Sequence, residues 1–190
     1  MTGLSACATT TPPSAPENQN QPWSMRAQTL SALTAWDIRA AIAFRTDSDA
    51  ESANLDWQQN NQDYTMLVSG PLGTTAFKLT GSEQGITLDT AQGKHFSAPT
   101  PEALLLQQTG WQLPVSSLYY WIRGLPAPNL PAQKQFDAFH HLTQLQQANW
   151  TIHYLAYTSV NHLDLPSKIT LSNPQHLQIK IVIHAWQSNL

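Results

Sequence analysis

The segment Leu177-Gln178-Ile179-Lys180-Ile181-Val182-Ile183-His184-Ala185-Trp186 alternates large apolar residues with other residues over ten positions. Successive side chains of a β-strand point to opposite faces, so this period of two predicts a strand with one buried face. The same pattern occurs near the other end of the chain, where apolar residues recur at every second position from Trp36 to Phe44. Long alternating segments at both ends predict an antiparallel sheet.

Shorter β-rich stretches lie between these two segments, and turn residues such as Asn60-Asn61 and Gly70-Pro71 separate them. Val, Ile, Thr and aromatic residues bounded by Gly, Pro and Asn are typical of short strands joined by tight turns. We also expect the adjacent His140 and His141 to lie on a strand. The other predicted strands cover residues 53–58, 64–68, 75–80, 86–89, 95–97, 150–155 and 168–171.

Three segments favour helices instead. The first runs from Trp23 to about Ala35, with an apolar stripe at helical spacing. The second begins at Thr100-Pro101, a typical N-cap followed by proline at the first helical position, and ends at Gly110. The third covers residues 115–123. We therefore predict a mainly β chain in which helices cover a curved sheet or incomplete barrel of about ten strands.

The N-terminus carries a possible lipid anchor. Leu4-Ser5-Ala6-Cys7 matches the cleavage and acylation box of bacterial lipoproteins, and Cys7 is the only cysteine. The alternative is that the match is accidental and Cys7 is an unmodified thiol, since the charged and apolar regions of a signal peptide do not precede the tetrad. We interpret residues 1–7 as a signal-peptide remnant, 8–21 as a flexible tether without large aliphatic residues, and 22–190 as a single domain.

Composition makes several function classes improbable. Only 11% of the 190 residues are charged, the net charge is −3, and Lys and Arg do not cluster, so nucleic acid is not an expected partner. The sequence lacks the Gly-x-Ser-x-Gly, His-Glu-x-x-His, P-loop and Rossmann patterns. The carboxylates Asp37, Asp56 and Asp137 are scattered over separate elements. We therefore expect neither an enzyme nor a cofactor.

A metal site is also not expected. On a strand, His140 and His141 would point to opposite faces and could not chelate together. His153 and His184 could approach each other across a sheet, but polar positions on a solvated face are the favoured interpretation without a third ligand.

Two features stay open on local grounds. The many Trp and Tyr residues could line a ligand cavity or simply fill the core, and their number favours the core. In Gly70-Pro71-Leu72-Gly73, proline at the second and glycine at the fourth position suit a type I turn with Leu72 at its tip. Leu72 could be exposed there or fold back onto the sheet.

A series of short segments follows a specific order and spacing along the chain, although each segment is weak alone. The segments are the helix followed by Trp36, Leu55-Asp56-Trp57-Gln58-Gln59, Gly70-Pro71-Leu72-Gly73, Gly110-Trp111-x-Leu113-Pro114-Val115, Leu118-x-x-Trp121-Ile122-x-Gly124-Leu125-Pro126-Ala127-Pro128, Asn149-Trp150-x-x-x-Tyr154, Leu165-Pro166, and Leu177-x-x-Lys180 to Trp186. Taken together, the series resembles a known family, the LolB outer-membrane lipoproteins of Gram-negative bacteria, which receive other lipoproteins from a periplasmic carrier and insert them.

The resemblance implies an incomplete antiparallel β-barrel of about ten to eleven strands with a helical lid, whose apolar interior holds the acyl chains of a client lipoprotein. It implies a monomer anchored through Cys7 to the outer membrane and facing the periplasm. The expected partners are a LolA-type carrier, the acyl chains of clients and outer-membrane lipid, and the expected activity is insertion into the inner leaflet.

The resemblance also implies site residues. Pro71, Leu72 and Gly73 would form a protruding membrane-insertion loop. The residues expected to line the cavity are Trp36, Ile38, Trp57, Leu105, Trp121, Ile122, Trp150, Tyr154, Ile181 and Ile183. Two other classes stay open, a passive structural envelope lipoprotein with a filled core and a soluble periplasmic carrier of hydrophobic ligands.

Overall fold

A computed structural model describes residues 21–110 and 112–188. Cys7, the predicted tether up to residue 20 and Trp111 lie outside the described residues. The described elements are α1 (Trp23–Ala32), β1 (Ala35–Arg45), β2 (Ala50–Asn60), β3 (Asp63–Ser69), β4 (Thr75–Ser82), β5 (Gly85–Thr90), β6 (His95–Ala98), α2 (Pro101–Thr109), α3 (Val115–Trp121), β7 (Gln133–Phe136), β8 (Leu142–Gln147), β9 (Trp150–Val160), β10 (Leu163–Ser172) and β11 (Gln178–Ser188).

All eleven strands form one antiparallel sheet in the order β6-β5-β4-β3-β2-β1-β11-β10-β9-β8-β7. The first and last strands pair at its centre, where Ile42 lies opposite Ile181. β6 and β7 are the two edges, so the sheet does not close, and the segment between them contains α2 and α3. The predicted fold class, an incomplete antiparallel barrel with a helical lid, is confirmed.

The second half of the sheet differs in detail from the sequence prediction. His140 and His141 do not lie on a strand, because His140 adopts a left-handed conformation with φ of 62° in the turn between β7 and β8. That prediction was wrong. β10 begins at Leu163, before the predicted start at residue 168, because the sheet accommodates Pro166 with a register shift between Pro166 and Lys168.

The alternation seen in the sequence determines which face is buried. In β1, Trp36, Ile38, Ala40 and Ile42 are buried on one face. α1 packs its stripe onto the sheet and ends at Ala32, with Leu30 buried, so the predicted helix is confirmed but three residues shorter. No described helix is both long enough and apolar enough to span a bilayer.

Candidate functional site

An apolar cavity of about 510 Å³ lies between the sheet and the lid helices α2 and α3. Its size falls within the range of about 300–1,000 Å³ that is usual for ligand pockets. Among the described residues that line it, only Glu51 is charged, so the cavity suits hydrocarbon better than a polar ligand. The apolar residues of its wall are Ile42, Phe44, Ala53, Leu55, Met66, Val68, Ala76, Phe77, Leu79, Leu105, Leu113, Pro114, Val115, Leu118, Leu171, Ile179 and Ile181.

The cavity occupies one end of the half-barrel. It is lined by Ile42 and Phe44 near the end of β1, by Glu51 near the start of β2, and by Gly70 just after β3. Antiparallel pairing brings these ends of β1, β2 and β3 together. Glu51 is exposed, so this end of the cavity faces solvent.

The turn that carries Leu72 begins at this same end. The Gly73 amide donates a hydrogen bond to the Gly70 carbonyl at 2.9 Å, which closes the turn predicted from Pro71 and Gly73. Gly73 has φ of 79°, a conformation that favours glycine. Leu72 is 97% exposed at the tip. An apolar side chain therefore projects into solvent beside a cavity that is itself apolar.

Of the ten residues predicted to line the cavity, Leu105 and Ile181 do so. Trp57 lines a separate groove at the other end of the half-barrel. The remaining seven are buried in the core and line neither space. They are Trp36, Ile38, Trp121, Ile122, Trp150, Tyr154 and Ile183.

The tryptophans pack against one another, and the buried indole nitrogen of Trp36 has no hydrogen-bond partner. The Trp36 ring lies 4.9 Å from that of Trp57 and 5.4 Å from that of Trp186, measured between centroids. The indole nitrogen of Trp121 donates to the Gln147 side chain at 2.8 Å. The large number of Trp and Tyr residues favoured a role in the core over a role in a ligand cavity, and most of these positions do lie in the core.

Sequence reasoning missed most of the actual wall. Ile42, Phe44, Val68 and Phe77 line the cavity, and each was visible as an apolar residue of a predicted strand. Alternation identifies the inward face of a strand, but it does not indicate which end of that face remains unfilled. The position of the lid decides this, and the lid is placed by tertiary packing.

Arg123 fixes the lid to α1. Its side chain is 1% exposed, and its Nη1 donates to the carbonyls of Leu33 at 2.6 Å and Leu30 at 3.2 Å. The guanidinium also lies 4.0 Å above the Tyr119 ring. Burial lowers the pKa of Arg123, while Tyr119 and Tyr120 oppose that shift. A cation at the C-terminal carbonyls of α1 complements the helix dipole and couples α3 to α1.

A second buried polar network fixes α1 to the sheet. Arg26 contacts Asp164 at 3.1 Å, and the Nε2 atom of His141 lies 3.0 Å from the same carboxylate. Ser159 donates to the other oxygen of Asp164 at 2.7 Å. Burial alone would raise the pKa of Asp164, but hydrogen bonds from His141, Ser159 and Arg26 outweigh it and lower that pKa. These side chains bind one another within the protein and line neither the cavity nor the groove.

The groove at the far end has about 600 Å³ of space and a different chemistry. Amides and hydroxyls such as Gln59, Tyr64 and Ser116 line it together with aromatic rings, and none of its described lining residues is charged. The Tyr64 hydroxyl is buried without a hydrogen-bond partner, and burial, followed by the nearby Glu102 charge, raises its pKa to about 12.

The histidines and carboxylates considered earlier do not converge. His153 and His184 are both exposed, and β10 separates their strands, which places them about 10 Å apart or more. Asp37 and Asp56 lie on β1 and β2, while Asp137 binds His141 in the β7–β8 turn. Within the described residues, no group of three or more His, Cys, Asp or Glu could hold a metal ion.

A family model for the outer membrane lipoprotein LolB matches residues 34–186, which include the whole sheet except the last two residues of β11. That match covers most of the chain. The chain belongs to the LolB family. The family's name describes outer-membrane lipoproteins, in agreement with the resemblance carried by the sequence segments.

Individual relatives agree with this assignment. The chain is 42% identical over 186 residues to an outer-membrane lipoprotein LolB of Pseudomonas paraeruginosa, covering 97% of this chain and 90% of that protein. It is 40% identical over 167 residues to one of Coxiella burnetii, covering 88% of this chain and 79% of that protein.

Solved structures with the same fold extend beyond the family. A LolA superfamily protein of Nitrosomonas europaea aligns with a TM-score of 0.56 at 5% identity, over 88% of this chain and 93% of that one. A putative outer membrane lipoprotein-sorting protein domain of Vibrio parahaemolyticus also has a TM-score of 0.56, at 8% identity, over 87% and 91% of the two chains. At such low identity these structures demonstrate the shared fold alone.

Proposed function

We propose that this protein accepts acylated lipoproteins from a LolA-type periplasmic carrier and inserts them into the inner leaflet of the outer membrane. The observation that carries the proposal is the apolar cavity of about 510 Å³ beneath the lid, which opens at the end where Leu72 is 97% exposed. A passive structural lipoprotein would have no need for this unfilled space. Membership of the LolB family supports the same role.

The physical requirement is that acyl chains stay out of water. Each methylene that moves from an apolar environment into water costs about 0.8 kcal/mol. The cavity wall is almost wholly aliphatic and aromatic, so it can replace water around such a chain without leaving polar groups unpaired. Transfer from carrier to receptor to bilayer can then proceed downhill through successive apolar environments, without nucleotide and without an enzymatic step.

In this proposal Leu72 helps to deliver the client lipoprotein to the membrane. Its turn lies beside the exposed end of the cavity, so a side chain that enters the bilayer surface brings the opening close to lipid. We propose that Pro71 and Gly73 hold the turn in the conformation that presents Leu72. Acylated Cys7 would anchor the protein to the outer membrane on its periplasmic side, and mass spectrometry of the native N-terminus tests this anchor.

The direct test of receptor function is transfer from a loaded carrier. Anchor-free protein is mixed with a purified LolA-type carrier that holds an acylated client, and the client is followed by co-purification. We expect the client to move to this protein, and to move equally without ATP. A folded protein that takes no client from a loaded carrier would refute the proposal and favour the passive structural role.

A further inference from the structure

The cavity and the far groove meet at two residues. Met66 and Val115 are the only described residues that line both spaces. Met66 projects inward from β3 and is 7% exposed, and Val115 is the first residue of α3 and is 6% exposed. One side chain from the sheet and one from the lid therefore stand between two spaces of about 510 and 600 Å³.

The order of residues along the strands agrees with this division. On β2, Leu55 lines the cavity, whereas Trp57 and Gln59 line the groove. On β3, Val68 lines the cavity, Tyr64 lines the groove, and Met66 between them lines both. The boundary thus crosses the half-barrel at the level of Met66.

Chemistry changes at the same boundary. On the cavity side the wall is apolar, and on the groove side it carries amides and hydroxyls, including the buried Tyr64 hydroxyl that has no hydrogen-bond partner. A methylene placed beyond the boundary would lie near the unpaired Tyr64 hydroxyl and would cover amides that water can otherwise reach, such as those of Asn61 and Gln62, so it gains little. Both bulk and polarity oppose the advance of a hydrocarbon chain past Met66.

We propose that Met66 and Val115 form a partition that sets the length of acyl chain the cavity accepts. The inference rests on the proposed function, because it assigns a determinant of chain length to that same cavity. Met66 is the stronger determinant, since its unbranched thioether side chain is long and fills irregular space. Replacing it by alanine removes three heavy atoms, which in extended geometry is about 3.6 Å, the space of roughly three chain atoms.

The test measures binding of full-length protein to one hexapeptide that carries a saturated N-terminal acyl chain of 8 to 18 carbons. For wild-type protein we expect affinity to rise about fourfold per methylene, which corresponds to about 0.8 kcal/mol each. The rise should stop at the length that reaches the partition. We call the chain length at which affinity stops rising the break. In Met66→Ala the break should lie two to three carbons beyond that of wild-type protein, and Val115→Ala should also move it to longer chains.

The matched control is Met25→Ala, because Met25 is 55% exposed on α1 and lines neither space. Its break should stay at the wild-type length, and thermal unfolding would verify that each variant is folded. An affinity that rises without a break up to 18 carbons would overturn the partition, as would a break that both folded variants leave in place. If wild-type protein binds no acyl peptide, the proposed function itself fails.

Discussion

Replacing Leu72 by glutamate should separate delivery from folding and from client acceptance. Leu72 is 97% exposed, so the change should alter the free energy of unfolding by less than about 0.5 kcal/mol. Nearly the whole leucine side chain is available for burial in a lipid surface, which is worth about 2 kcal/mol. Its loss corresponds to roughly a thirtyfold weaker insertion of the turn, and the glutamate charge weakens it further.

The assay loads anchor-free protein with an acylated client and adds liposomes of phosphatidylethanolamine and phosphatidylglycerol. Client that sediments with the liposomes measures delivery, and client that co-purifies with the protein before lipid is added measures acceptance. Leu72→Glu should keep acceptance and lower the delivery rate at least tenfold. Leu155→Glu is the matched control, because Leu155 is 54% exposed on β9, away from the turn.

Three results would contradict this reasoning. Delivery by Leu72→Glu at the wild-type rate would exclude the turn from membrane contact. An equal loss in Leu155→Glu would show that added negative charge, rather than the position of the turn, slows delivery. A Leu72→Glu protein that fails to fold would instead contradict the exposed position of the side chain.

The remaining predictions concern stability, measured by urea denaturation. Asp164→Ala should lower the free energy of unfolding by about 3–5 kcal/mol, because it removes the carboxylate that the buried Arg26 contacts. The pKa of Asp164 is lowered from 3.8 in the folded protein, so the ionised carboxylate contributes to the free energy of unfolding above pH 3.8. This contribution is lost as the pH falls through the folded-state pKa. In Asp164→Asn the free energy of unfolding should therefore fall less steeply with decreasing pH. Arg123→Ala should cost about 3 kcal/mol, and Arg123→Lys should recover only part, since lysine lacks the planar fork. Gly81→Ala should cost about 1–3 kcal/mol because its Cβ would collide with the Tyr64 ring, and a double-mutant cycle with Tyr64→Ala should show the cost relieved.

Local sequence signals located most of the secondary structure because they depend on neighbouring residues only. Thr100 caps α2, with its hydroxyl 3.2 Å from the Ala103 amide, and Gly110 ends the helix at φ of 77°. Both features were predictable from residue types. The predicted start of β10 at residue 168 was too late, because local residue types do not reveal the register shift by which the sheet accommodates Pro166.

The site was less predictable than the fold. The turn at Leu72 follows from Pro71 and Gly73, but the local sequence left the exposure of Leu72 open, and the position of the turn beside the cavity depends on how β1, β2 and β3 align. Trp36 was expected at the cavity on the basis of the family resemblance, whereas here it packs against other tryptophans, as the number of aromatic residues favoured. Which space stays empty depends on where the lid rests, and contacts far apart in sequence, such as Arg123 with Leu33, determine that.

Among the described residues no further strand pairs with either edge of the sheet, and these two edges bear on self-association. An unpaired strand offers backbone amides and carbonyls to any second strand, and long flat edges promote aggregation. Here both edge strands, β6 and β7, have only four residues, and Lys134 lies within β7. Pairing of two copies through β7 would gain few hydrogen bonds, and a register that places Lys134 opposite its copy would bring two ammonium groups together. A half-barrel can therefore stay open for a ligand and still resist growing into a continuous intermolecular sheet.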